Sequence, residues 1–170
     1  VASACAFLAS SQGRASMIRQ VRTLSLILLW LLPSGALAND ELITVQSAHS
    51  AAVTIQRLQE AITANGYTIL ATIDQAAHAA EYGVKIPART LVAFAWMGGW
   101  TGHLIETPTI AIELPNRVLV WEDHEGVWVT RNTARYFLRY ILRRHEAKGI
   151  DGRVQMHHAK VAGMVDNVTR

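Results

Sequence analysis

The sequence predicts an α+β fold, a two-layer sandwich in which a mostly antiparallel sheet of five to six strands is packed by two main helices. Three observations carry this reading. Several short stretches alternate with a period of two, two longer ones repeat at helical spacing, and most of the strands lie close enough in sequence to be joined by hairpin turns.

The elements follow in order. Glu41–Ser47 alternates as a short strand. Ser50 is placed to cap a helix with its hydroxyl, Ile55, Leu58 and Ile62 recur on one helical face, and Asn65-Gly66 supplies the left-handed residue that ends it. Tyr67–Asp74 reads as a second strand with Ile69, Ala71 and Ile73 on one face. Gln75–Tyr82 is rich in alanine and reads as a short helix stopped by Gly83. Leu91–Trp96 is apolar on both faces, as an interior strand is. Three further strands are expected over Thr109–Leu114, Arg117–Asp123 and Val127–Thr130, with turns at Pro115-Asn116 and His124-Glu125-Gly126. A last helix, Thr133–Lys148, closes a single domain over residues 39–148, and residues 149–170 read as a C-terminal tail.

Before this domain the chain has the layout of a secretory signal. Arg19 and Arg22 precede an unbroken apolar run from Leu24 to Leu32, and Ala36-Leu37-Ala38 offers the small residues of a cleavage site. Nine residues of helix reach only about 14 Å, well short of a hydrocarbon core roughly 30 Å thick. Residues 17–38 are therefore read as a leader that starts at Met17, and residues 1–16 as an over-extended reading frame. On this reading the protein is periplasmic or secreted and is not integral to the membrane once cut near Ala38. Three of the 16 Lys and Arg lie in the excluded part, which leaves 13 against 13 Asp and Glu, so the remaining chain is electrically balanced. The whole-chain pI of about 9.4 is thus no argument for nucleic acid as a partner. The single cysteine, Cys5, is excluded with the leader.

A resemblance emerges from particular residues. Thr44-Val45-Gln46-Ser47-Ala48-His49-Ser50 with Thr54 and Leu58, Ile73-Asp74 before the alanine-rich stretch, Phe94, Thr107-Pro108, and above all Glu113-Leu114-Pro115 with Val118-Leu119-Val120-Trp121-Glu122-Asp123 and Gly126 are similar to the domain-of-unknown-function 302 family over roughly residues 41–145. The resemblance implies a small α+β domain that often pairs with itself and whose activity is not established. It also shows a departure. Where that family has a Gly-Asn-Pro turn followed by Gly-Thr-Pro, this chain has Ala95-Trp96-Met97 and Trp100-Thr101-Gly102.

Chemistry is sparse. The only serines after Ala38 are Ser47 and Ser50, and neither belongs to a nucleophile elbow. No catalytic residue is assigned, although Asp74, His78 and Glu113 are the candidates an enzyme would use. His145-Glu146 opens like a zincin motif, but Gly149 stands where the second histidine would be. His78, and His103 with Glu106, are the ligands of an alternative metal- or haem-binding reading, in which a further histidine completes the site. No motif fixes a cofactor. The segment Trp96, Met97, Gly98, Gly99, Trp100, Thr101 and His103 combines glycines, indoles and a thioether. It reads either as a flexible connector or as the lip of an apolar cleft that grips a small molecule or a protein partner. Arg131, Arg135, Arg139 and Arg143 recur every four residues and would form a slanting basic stripe on the last helix, a contact for an acidic partner or anionic head groups if it is not simply solvated. The first reading is an exported, non-enzymatic domain that binds a small ligand or partner.

Overall fold

The structure, a computed structural model, describes residues 41–170; the leader reading over 1–38 lies outside the described residues, as do the side chains of Met97 and Trp100. The strands are β1 (Leu42–Ser47), β2 (Thr68–Asp74), β3 (Arg89–Ala95), β4 (Asn116–Asp123) and β5 (Gly126–Asn132), in the sheet order β1-β5-β4-β3-β2 with every neighbouring pair antiparallel. The helices are α1 (Ala51–Ala64), α2 (Gln75–Glu81), α3 (Met97–Glu106), α4, which opens as Ala134–Tyr136 and continues as a π-helix over Phe137–Leu142, and α5 (Asp151–Val168).

Local chemistry explains most of these boundaries. The Ser50 hydroxyl accepts from the Val53 amide at the start of α1, and the left-handed Gly66 (φ 79°) lies just beyond its end. Asp74 closes β2 and caps α2 by accepting from the Ala76 and Ala77 amides. The β4–β5 hairpin is pinned by one carboxylate oxygen, Asp123 Oδ1, which accepts from the Glu125 and Gly126 amides and from the Trp128 indole at 2.9, 3.1 and 2.9 Å. Trp121 sits opposite Trp128 across that hairpin and the two indoles stack at 6.0 Å.

The main core lies between the sheet and the pair α1 and α5. Leu58 and Ile62 of α1, Val92 and Phe94 of β3, Val118 and Val120 of β4, Val129 of β5, and Val161, Met164, Val165 and Val168 of α5 are all buried in it. A second apolar cluster joins Ile110 to Phe137, Ile141 and Leu142 of α4 and to Ile150 and Val154. At the far ends, a buried Ser47 to Thr54 hydroxyl contact of 2.7 Å ties β1 to α1, and the Ala48 amide donates to the Thr169 carbonyl, which ties β1 to the end of α5.

Five expectations are corrected. Thr109–Leu114 is not a strand but lies within a 3₁₀ turn, Pro108–Glu113: Pro108 cannot donate to a sheet and its fixed φ suits a helical start, while only Ile110 of the three alternating apolar residues is fully buried and Ile112 stands 72% exposed. The Thr133–Lys148 helix is shorter. Thr133 caps it by accepting from the Tyr136 amide, its regular part ends before Glu146, which takes a left-handed φ of 53°, and Arg131 falls outside it as a residue of β5. The four-arginine stripe is therefore not one helical feature. Finally, residues after Gly149 are not a tail. They form the 18-residue helix α5, and its Val154, His157, Val161, Met164, Val165 and Val168 are buried, so the fold extends well past 148. The glycine-rich connector is likewise a helix, α3, and Gly98, Gly99 and Gly102 do not take positive φ in it.

Candidate functional site

Three cavities among the described residues border the C-terminal end of β3. Phe94 and Ala95 leave the sheet there, Trp96 takes the N-cap position of α3, and the chain returns through the 3₁₀ turn to Pro115 and Asn116.

An apolar cleft of about 350 Å³ lies under α3. It is lined by Leu70 of β2, Ala95 of β3, Trp96, Thr101 and Leu104 of α3 and its cap, and Ala111, Leu114 and Pro115 of the returning chain. The Trp96 indole forms part of its mouth and is 44% exposed. Gly99 is what lets that ring lie down: a Cβ at Gly99 would stand 2.2 Å from Trp96 Cε3, closer than any real contact. The Gly99 carbonyl in turn accepts from Arg153 of α5 at 2.9 Å, which anchors the first turn of α3.

Trp96 also borders a second groove, of about 250 Å³, with Asn65, Tyr67, Met156, His157 and Lys160. Here a polar cluster is set into the core. Tyr67 lies edge-on to Phe94 at 5.5 Å, its hydroxyl is 3.0 Å from His157 Nδ1, and the Lys160 ammonium sits 5.3 Å over its ring and donates to the Asn65 carbonyl at 2.8 Å. Burial raises the Tyr67 pKa, so the phenol keeps its proton. His157 is pushed down to about 4, mainly by burial and further by His158 and Lys160, so its imidazole is neutral at pH 7. A protonated phenol facing a neutral imidazole is assigned as the donor, which leaves the ring proton of His157 on Nε2.

On the other side of His157 is a narrow third cavity of about 30 Å³, between the ends of β3, β4 and β5 and the middle of α5. Asn116, Arg117, Arg131, Asn132, His157 and His158 supply its polar lining and Phe94, Phe137 and Val161 its apolar lining, with Pro115 shared between this cavity and the apolar cleft. The His158 pKa is also lowered to about 4, by burial first and by the Arg131 charge second, against a weaker opposing bond to the Asn132 backbone. Burial lowers the Arg131 pKa and the charge of Asp166 works in the opposite direction. Glu113 also lines this cavity, but one of its oxygens is taken by Arg144 at 3.1 Å and by His145 Nε2 at 3.2 Å.

The residues named from sequence divide accordingly. Trp96 and Thr101 come together in the apolar cleft, and Gly99 seats the indole; Gly98 and Gly102 have nothing near their Cα hydrogens. His103 pairs with Glu106 at 3.9 Å and His78 with Glu81 at 3.8 Å, each within its own helix, and no cluster of three metal-ligating side chains exists among the described residues. Asp74 is spent on capping α2 and Glu113 on Arg144 and His145, so the enzyme candidates share no constellation. His49 bonds to Arg57 and to the Arg170 carbonyl, which ties the start of α1 to the chain end rather than activating a serine. Arg135, Arg139 and Arg143 are exposed, and Arg139 lies over the Tyr140 ring at 5.4 Å. Sequence reasoning missed Tyr67, Asn116, Arg131 in its buried role, and His157 and His158. The signal for the histidines was present: Val154, His157, Val161, Met164 and Val168 recur at steps of three and four.

Comparison with known proteins bears on the fold and the family. The family described as "Domain of unknown function DUF302" matches residues 43–168. The structure is similar to that of the uncharacterized conserved protein DUF302 from Bacillus stearothermophilus, with a TM-score of 0.65 at 15% identity over 76% of this chain and 98% of that one, a likeness of fold. Among curated sequences, the chain is 35% identical over 101 residues to the fluoride-specific ion channel FluC 1 of Brucella suis biovar 1 (strain 1330) and to its namesake in Brucella abortus biovar 1 (strain 9-941). It spans only 40% and 37% of the length of these relatives. No described helix is long and apolar enough to cross a membrane.

Proposed function

The chain belongs to the DUF302 family, and we propose that it works as an exported, non-enzymatic binding domain that holds a small, mainly apolar ligand in the cleft under α3. The cleft itself carries the reading. At about 350 Å³ it falls within the range of small-molecule sites, roughly 300–1,000 Å³, and its lining is apolar except for Thr101. A partly exposed indole at the mouth supplies a flat, polarizable face for the ligand. The scattering of the catalytic candidates, each engaged in capping or ion pairing, favours binding over turnover. Export rests on the charged, apolar and small-residue order of residues 17–38, and is tested by amino-terminal sequencing of the natural protein. Asn39 as the first residue supports it; an intact Met17 refutes it.

The cleft is tested with Nile red as an apolar probe. The protein binds one equivalent, Trp96→Ala weakens binding about tenfold, and Ala111→Phe, which fills the cleft from an exposed position, abolishes it. Both variants keep a cooperative unfolding transition, because neither side chain is in the core. Probe affinity unchanged in both variants removes the cleft from the proposal.

A further inference from the structure

The narrow cavity beside His157 has a different chemistry from the apolar cleft. Three of its lining residues each carry a buried nitrogen, Arg131 Nε, Asn116 Nδ2 and His157 Nε2, that finds no hydrogen-bond partner among the described residues. Buried polar groups are nearly always satisfied, and three in one small space ask for a common partner. His157 is 5% exposed, which fixes this donor inside the protein. We propose that the cavity is a binding site for one small monovalent anion of halide size, held by Arg131, Asn116 and His157.

The size and the donor set choose the ligand. About 30 Å³ of room accommodates one or two water-sized spheres and suits an anion of that size better than phosphate or a carboxylate metabolite. One spherical anion accepts from all three N–H groups, as two waters also would. The guanidinium adds a charge that an anion neutralises and a water does not. Of the acids within reach, Glu113 gives one oxygen to both Arg144 and His145, and Asp166, whose charge acts on Arg131, is exposed on α5. A neutral His157 with its proton on Nε2 points the same way.

The test follows the thermal midpoint of the full chain in sodium gluconate, an anion too large to enter, as chloride replaces gluconate at constant ionic strength. The midpoint rises saturably with chloride, and bromide acts similarly. In Arg131→Met the chloride affinity falls at least about tenfold; His157→Phe, which keeps a ring in the core but loses the donor, serves the same comparison if Arg131→Met does not fold. The chloride-35 NMR linewidth of the unmodified protein gives a readout independent of any variant. Broadening that bromide reverses supports the site. Equal midpoints in gluconate and chloride, broadening that survives the loss of Arg131 or His157, or no broadening at all overturns it.

Discussion

Replacing Gly99 by alanine sets two effects of known sign against each other. Alanine is favoured over glycine inside a helix by up to about 1 kcal/mol, so α3 should gain stability if nothing else changes. The new Cβ, however, would lie 2.2, 2.7 and 2.9 Å from three atoms of the Trp96 ring, and the ring must leave. Because Trp96 is 44% exposed and at the cleft mouth, it can swing into solvent without opening the core. The ring then forfeits its packed area at roughly 25 cal/mol per Å², a loss of the same order as the helical gain. Gly99→Ala is therefore expected to be within about 1 kcal/mol of the parent, while the tryptophan emission shifts to the red and Nile red binding falls. Gly102→Ala is the control, since nothing lies within 4 Å of its added methyl group; it should stabilise by about 1 kcal/mol with binding intact. Urea unfolding and probe titration of the two variants measure both quantities. If Gly99→Ala matches Gly102→Ala in stability and in binding, the indole does not lie over Gly99 and the cleft mouth is wrongly drawn.

Three further outcomes are expected. A chain ending at Lys148 should fail to fold, because it lacks the six buried side chains of α5; a cooperative unfolding transition in that truncation would contradict the core described here. Stability should decline as the pH is lowered from about 6.5 to about 4: His157 and His158 are held neutral in the fold with pKa values near 4, while the unfolded chain takes up their protons at the ordinary value of 6.5. Each contributes up to roughly 3 kcal/mol over that window and nothing above it, and urea midpoints between pH 7.5 and 4 should flatten in His157→Phe; an unchanged slope would place the imidazole in solvent. Leu58→Ala, at 1% exposure between α1 and the sheet, should cost about 2–5 kcal/mol by thermal or urea unfolding, and a cost below 1 kcal/mol would mean that the helix is not docked there.

What was legible in the sequence was whatever short-range chemistry decides. Ser50, Gly66 and Gly83 mark helix ends by local hydrogen bonds and backbone handedness, the apolar run of β3 marks an interior strand, and the alternation in β4 and β5 needs only a sheet with one face turned to helices, whereas Asp74, read as an enzyme candidate, is the cap of α2. The failures share a cause. Pro108–Glu113 carries alternating isoleucines that fit a strand or a 3₁₀ turn equally well, and only the second core, which takes Ile110 and leaves Ile112 out, decides between them. The helix α5 was obscured by its polar residues, since His157 interrupts the apolar stripe with a side chain that belongs there only because Tyr67, 90 positions earlier, meets it.

The candidate site inherits the same division. Its apolar half was read only in part: Trp96, Gly99 and Thr101 were singled out as a cleft lip within one short segment, while Leu70, Leu104, Ala111, Leu114 and Pro115 were not. Its polar half was not, because Tyr67, Asn116, Arg131 and His157 come from β4, β5, α5 and the edge of β2, and none has a neighbour in sequence that completes its chemistry. A cavity assembled from such remote donors is costly to keep in a domain this small unless something satisfies them: each unpaired buried N–H costs about 1–3 kcal/mol, against a total stability of about 5–15 kcal/mol for a typical domain. That disproportion is the strongest physical ground for treating Arg131, Asn116 and His157 as a site rather than as an imperfection of packing.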